Sequence, residues 1–192
     1  MRRRAPRNSS TTSIVSPSAS LTIDRYIDGV QDATRAGDNS EDVRTIRMLA
    51  HSNGSRLTKA IWPRLRYLRD NGVKVVAVFT KFRSKKQEQA TLNEYADVFG
   101  ADAVLRNVRI AKLREADRLK EHLVLGKRGV WHDDGRNAPT SDGSVTATET
   151  KATDPRFSAA RVSFNMVWAV SDQVLPKETI SKDIRPKVRR TR

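Results

Sequence analysis

Residues 73–80, Val-Lys-Val-Val-Ala-Val-Phe-Thr, form a nearly continuous apolar run between two helical patterns, and this feature constrains the fold most. The run is far shorter than the roughly 20 apolar residues a membrane span needs. Its β-branched content suits a strand, and a strand apolar on both faces must be buried on both. A chain of 192 residues has the volume for such a core.

The flanking patterns alternate. Ile23, Tyr26, Ile27, Val30 and Ala33 share one helical face, with Ser20 or Thr22 as cap and Gly37 past the end. Residues 43–50 (VRTIRMLA) predict a strand. Residues 55–70 predict a helix with Leu57, Ala60, Ile61, Leu65 and Leu68 on one side, kinked or restarted at Pro63. Asn71-Gly72 ends it. Ser84 and Gln87 have capping-box spacing and open a third helix, its stripe Leu92, Tyr95, Ala96 and Phe99, closed by Gly100. Residues 103–110 (AVLRNVRI) predict a strand, and 122–125 with 129–132 a hairpin turning at Gly126–Gly129. Residues 133–156 predict a long polar loop, and 157–174 a last helix with Phe157, Ala160, Phe164, Val167, Trp168 and Ser171 on one face. The order predicts a layered α/β domain over 21–175, its mostly parallel sheet flanked by helices.

Charge concentrates at the ends. The chain carries 37 Lys+Arg against 22 Asp+Glu, a net +15. Residues 1–20 hold Arg2, Arg3, Arg4 and Arg7 and no acid, and residues 176–192 carry +5, including Arg185, Lys187, Arg189, Arg190 and Arg192. Only +6 remains for the 155 residues between. Both ends lack strand or helical periodicity and read as disordered basic arms, the first as a solvated arm rather than an organelle-targeting segment. Two arms rich in Arg point to nucleic acid, bound through phosphates with strong salt dependence. The absence of cysteine excludes disulfide scaffolds, thiolate zinc sites and cysteine nucleophiles.

Few residues carry chemistry. The loop Ala50–Arg56 joins a strand to a helix, so Asn53, Gly54 and Ser55 suit an anion site, or else Asn53 or Ser55 simply caps the helix. It has neither the Walker A ending nor a dinucleotide fingerprint. His51, His122 and His132 are scattered in sequence, and His132-Asp133-Asp134 suits a polar strand end better than a metal site, so no metal or cofactor is expected. His122 follows a charged run and opens an apolar strand. A histidine there, flanked by Lys and Arg, suits a nucleophile on phosphorus, and a strand-edge histidine without chemistry is the plainer alternative.

Over about 21–175 the chain resembles one half of the phospholipase D superfamily. Asp70-Asn71-Gly72-Val73-Lys74-Val75 looks like the phrase that feeds the family's buried strand. Glu121-His122-Leu123-Val124-Leu125-Gly126 places a histidine at the start of a hairpin strand. Gly129-Val130-Trp131-His132 resembles its partner strand, and Phe164-Asn165-Met166-Val167-Trp168 the closing helix. The resemblance implies a metal-independent phosphodiesterase working through a phosphohistidine on His122, completed by a second half-site in a homodimer. The family motif H-x-K is broken here, because Val124 stands two residues after His122. Lys120 or Lys127 would have to replace that lysine, Lys127 from the opposite strand face, and Asp133 or Asp134 the family's aspartate.

Three expectations follow. The first is a divergent phospholipase D-like protein that binds nucleic acid or another phosphodiester with catalysis weak or lost. The second is an active phosphodiesterase or nuclease using His122 in a homodimer. The third is a secreted effector or adaptor, since the Arg-rich C-terminus looks like a secretion signal. The first two imply a cytoplasmic protein without a transmembrane segment.

Overall fold

The computed structural model describes residues 20–52, 54–112, 119–133 and 145–174. Eight strands form one sheet in the order β1-β7-β6-β5-β2-β3-β4-β8. In chain order the elements are β1 (Ser20–Leu21), α1 (Ile23–Arg35), β2 (Thr45–Ala50), α2 (Arg56–Ile61), a 3-10 turn (Trp62–Arg64) and α3 (Leu65–Asp70). There follow β3 (Lys74–Phe79), α4 (Lys85–Phe99), α5 (Ala101–Asn107), β4 (Val108–Ile110), β5 (His122–Leu125) and β6 (Gly129–His132). The chain then forms β7 (Ala147–Glu149), α6 (Pro155–Ala169) and β8 (Asp172–Gln173).

The expected mixture of helices and strands is present, but the mostly parallel sheet is not. Only β2–β3 and β3–β4 pair in parallel, where helices carry the chain back across the sheet. The other five pairings are antiparallel. The reason is connection length. The turn Gly126–Arg128 is too short for a crossover, so β6 must run against β5. Gly126 makes that turn at φ 54°, and a Cβ there would lie 2.6 Å from the Val43 carbonyl oxygen.

Local chemistry sets the helix ends. Thr22 caps α1, accepting from Arg25 N–H at 3.2 Å, and Ser84 caps α4 through Gln87 N–H. Pro63 breaks the second helical region into α2, the 3-10 turn and α3, as its missing N–H requires. The expected strand over 103–110 is mostly helix: Gly100, at φ 89°, ends α4 and α5 starts at once, leaving three strand residues in β4. The last helix begins earlier and ends earlier than its pattern suggested, and β7 lies inside the expected 133–156 loop. Ser20, assigned to the N-terminal arm, belongs to β1.

The two sheet faces are covered differently. Helices α1–α5 pack on one face around a large core that includes Tyr26, Ile46, Met48, Phe79 and Tyr95. Tyr26 Oη donates to the Val43 carbonyl at 2.8 Å and Tyr95 Oη to that of Val75 at 2.6 Å, fixing α1 and α4 to the sheet. On the other face α6 crosses the strands in succession. Its Phe157 and Ala160 pack on Val124 of β5 and Val130 of β6, then Phe164 and Val167 on Leu49 of β2 and Val78 of β3. Among the described residues, no helix is long and apolar enough to cross a membrane.

Candidate functional site

The strand directions bring four connections to one sheet edge: the carboxyl ends of β2, β3, β4 and β6 and the start of β5 meet there. In open α/β sheets this is where ligands bind. His122 opens β5 opposite Leu49 of β2 on one side and His132 of β6 on the other. The His122 and His132 rings stand 5.7 Å apart. His51 follows β2 directly. The three histidines therefore lie at neighbouring ends of β2, β5 and β6.

His122 is sealed in, with 2% of its surface exposed, on the face that α6 covers. Its Nδ1 lies 3.1 Å from the Lys120 carbonyl oxygen, which can only accept, so Nδ1 carries the proton and Nε2 holds a lone pair. Nε2 is buried without a partner in normal hydrogen-bond geometry, the Ala160 carbonyl of α6 giving the charged ring only weak support. Burial pushes the His122 pKa below the usual imidazole range, opposed by the Lys120 carbonyl and reinforced by His132. His132 is lowered as well, by partial burial and then by the charges of Lys120 and Arg156.

Glu121 turns the other way. It is buried, and its carboxylate accepts the backbone N–H of His51, whose Nδ1 is hydrogen-bonded to Thr80 Oγ1 at 2.7 Å. Burial raises the Glu121 pKa, against the opposing effects of His51 and Ser55, with nearby Asp133 raising it further. Glu121, His51 and Thr80 thus link the starts and ends of β5, β2 and β3.

The expected site residues separate. Lys120 is exposed beside His122 and His132. Asp133 donates its backbone N–H to the Glu121 carbonyl at 3.0 Å, so it lies at the same edge. Lys127 does not: it sits in the turn at the far end of β5, paired with Asp38 at 3.4 Å. Ser55 caps α2, accepting from Thr58 N–H at 3.1 Å, and the Gly54 N–H is directed to Ser52 Oγ. The described N–H groups of Gly54, Ser55 and Thr58 therefore serve the chain itself. Asn53, Asp134 and the arm residues Arg2, Arg3, Arg4, Arg7, Arg185, Lys187, Arg189, Arg190 and Arg192 lie outside the described residues. Among the described residues, no three His, Asp or Glu side chains are grouped to hold a metal.

The motif position Val124 is fully buried in a dry cluster with Val130, Phe157 and Ala160. Further cations stand on the rim, outside the motif positions. Lys81, Arg83, Lys85 and Lys86 stand exposed in the stretch from β3 into α4, Lys112 follows β4, Lys120 precedes β5 and Arg56 opens α2. The signal was visible as TKFRSKK, with four cations and no acid directly after the buried strand. The opposite edge carries Asp38, Glu41, Asp42 and Asp70, paired with Lys127, Lys74, Arg47 and Arg69. A groove of about 270 Å³ opens at this edge between Lys85, Glu88, Ile110, Lys112, Asp172 and Val174, its lysines paired with Glu88 and Asp172.

Comparison with known protein families, curated proteins and solved structures finds no match to this chain.

Proposed function

We propose that the chain is a divergent phospholipase D-like protein that holds a phosphodiester, most simply a single nucleic-acid strand, along this basic sheet edge without cleaving it. The observation that carries the reading is the gathering of exposed cations from three separate connections, β2–α2, β3–α4 and β4–β5, around one edge. Cations so placed neutralise successive phosphates and release counterions. Loss of cleavage follows from what lies beneath: Val124 offers no charge to a phosphoryl oxygen, and α6 closes over His122.

Titration of the full chain onto a labelled single strand tests this. Affinity is expected to fall by about 10³ between roughly 50 and 200 mM salt. Replacing Lys81, Arg83 and Lys120 by alanine together is expected to reduce the log–log salt slope by about 2, three single-strand phosphate contacts at about 0.7 each. Salt-independent binding would overturn the reading. So would an unchanged slope in the triple variant, which would move binding to the arms.

One observation favours the active phosphodiesterase as a second reading. The Nδ1–H bond to Lys120 leaves His122 in the tautomer whose Nε2 lone pair attacks phosphorus. Attack would expel an oxygen that must take a proton, and water would then release the phosphate from the histidine. That chemistry requires α6 to lift from His122.

A further inference from the structure

α6 is seated on the sheet through two separate apolar patches. Its first half places Phe157 and Ala160 on Val124 of β5 and Val130 of β6. Its second half places Phe164 and Val167 on Leu49, Val78 and Ala111, with Val76, Leu119 and Trp168 packed around them. Between the halves, Arg161 is tied to Asp42 at 3.0 Å. The first half has the weaker seat, because apolar stabilisation follows the area removed from water. His122 lies under that half, near the Ala160 carbonyl.

A charge on His122 would undermine this seat. Its Nδ1–H already donates to the Lys120 carbonyl, and Nε2 is buried with no acceptor placed for a second proton. A buried charged N–H without a partner is costly. The groups around it deepen the cost. Lys120 stands just before β5, and the His132 ring lies 5.7 Å away on β6. Arg156, at the start of α6 and paired with Asp154, acts on His132 together with Lys120. On β2 the facing residue is the apolar Leu49, with His51 two residues further on. Of the acids, Asp133 follows β6 at the edge, and Glu121 is occupied by the His51 N–H and drawn towards protonation by burial. Acidification therefore adds positive charge under the first half of α6 and removes negative charge nearby.

We propose that the first half of α6 is an acid-released lid: protonation of His122 and His132 lifts Phe157 and Ala160 off β5 and β6, while the second half stays seated and the helix pivots about the Arg161–Asp42 pair. The open form, in which His122 meets water, binds the proton more tightly than the closed one, so falling pH shifts the population towards it. Burial lowers both imidazoles in the closed form, which keeps the lid shut at neutral pH. The inference concerns the ligand-free chain and does not rest on phosphodiester binding.

Amide hydrogen exchange of the ligand-free full chain, read by mass spectrometry and corrected for intrinsic rates, tests it. Between about pH 7.5 and 5.5, protection in the first half of α6 is expected to fall about tenfold, while α4 keeps its own. His122→Leu should remove most of that fall. Because the chain has no cysteine, Ala160→Cys and Val167→Cys report on the two halves without touching the histidines. The ratio of their labelling rates with dithiodipyridine should rise about tenfold in favour of Ala160→Cys over the same pH change. Unchanged protection, or an unchanged labelling ratio, would overturn the inference. A loss shared equally by α4 would do so too, since the whole fold would then be opening. So would a fall that keeps its full size in His122→Leu.

Discussion

Val124 and His122 are two residues apart on one strand, and their surroundings decide what the broken motif means. Val124 is held by Val130, Phe157 and Ala160, with no polar atom offered to a charge. Restoring the lysine with Val124→Lys should therefore cost about 3 kcal/mol or more in a urea-unfolding measurement and yield no cleavage. A stable, cleaving Val124→Lys would show that the site needed only its lysine. His122 carries a pH signature. Its folded pKa lies below the unfolded value near 6.5, so the unfolded chain binds the proton more readily. Stability should therefore fall as pH drops below about 6.5, and His122→Leu should reduce that loss between about pH 7.5 and 5.5, His132, which is lowered too, keeping the remainder. Glu121 has the opposite sign, its raised pKa favouring the fold at lower pH, so it does not mimic the effect. The position of His122 at a strand start was legible, because a charged run gives way there to an apolar one. The contact of Glu121 with His51 was not, since 70 residues separate them and only the register of β5 on β2 brings them together.

Elements with strong local signals read correctly, and their errors have local causes. The caps at Thr22 and Ser84, the break at Pro63 and the hairpin at Gly126 all rest on chemistry within a few residues, and all appear where that chemistry places them. Residues 103–107 look like a strand by apolar content, yet Ala, Leu and Arg favour a helix and the positive φ of Gly100 lets one restart. The direction of the sheet was misread for a different reason. Alternating strands and helices imply parallel pairing only while a helix connects each pair, and this ends at β4. For α6, the inner stripe was recognised and the outer one passed over. A helix with two apolar faces has weak amphipathic periodicity, and only burial shows which face the protein fills.

At the scale of the whole molecule, charge has two meanings. In the sequence the excess lies on the arms, which lie outside the described residues. In the fold, cations of three connections gather at the edge where β2, β3 and β4 end, while the acids of the opposite edge are ion-paired with cations beside them. Composition alone cannot reveal such a gathering, because it depends on which connections the strand directions bring together. On the proposed function the core holds a phosphodiester along this edge, over a closed histidine, without breaking it. The most direct measurement incubates a labelled single strand with excess full-length protein, without added metal, and resolves both complex and strand length on gels. The account predicts a shifted strand recovered intact, from the native chain and from His122→Ala alike. Shortened strands that disappear with His122→Ala would contradict it.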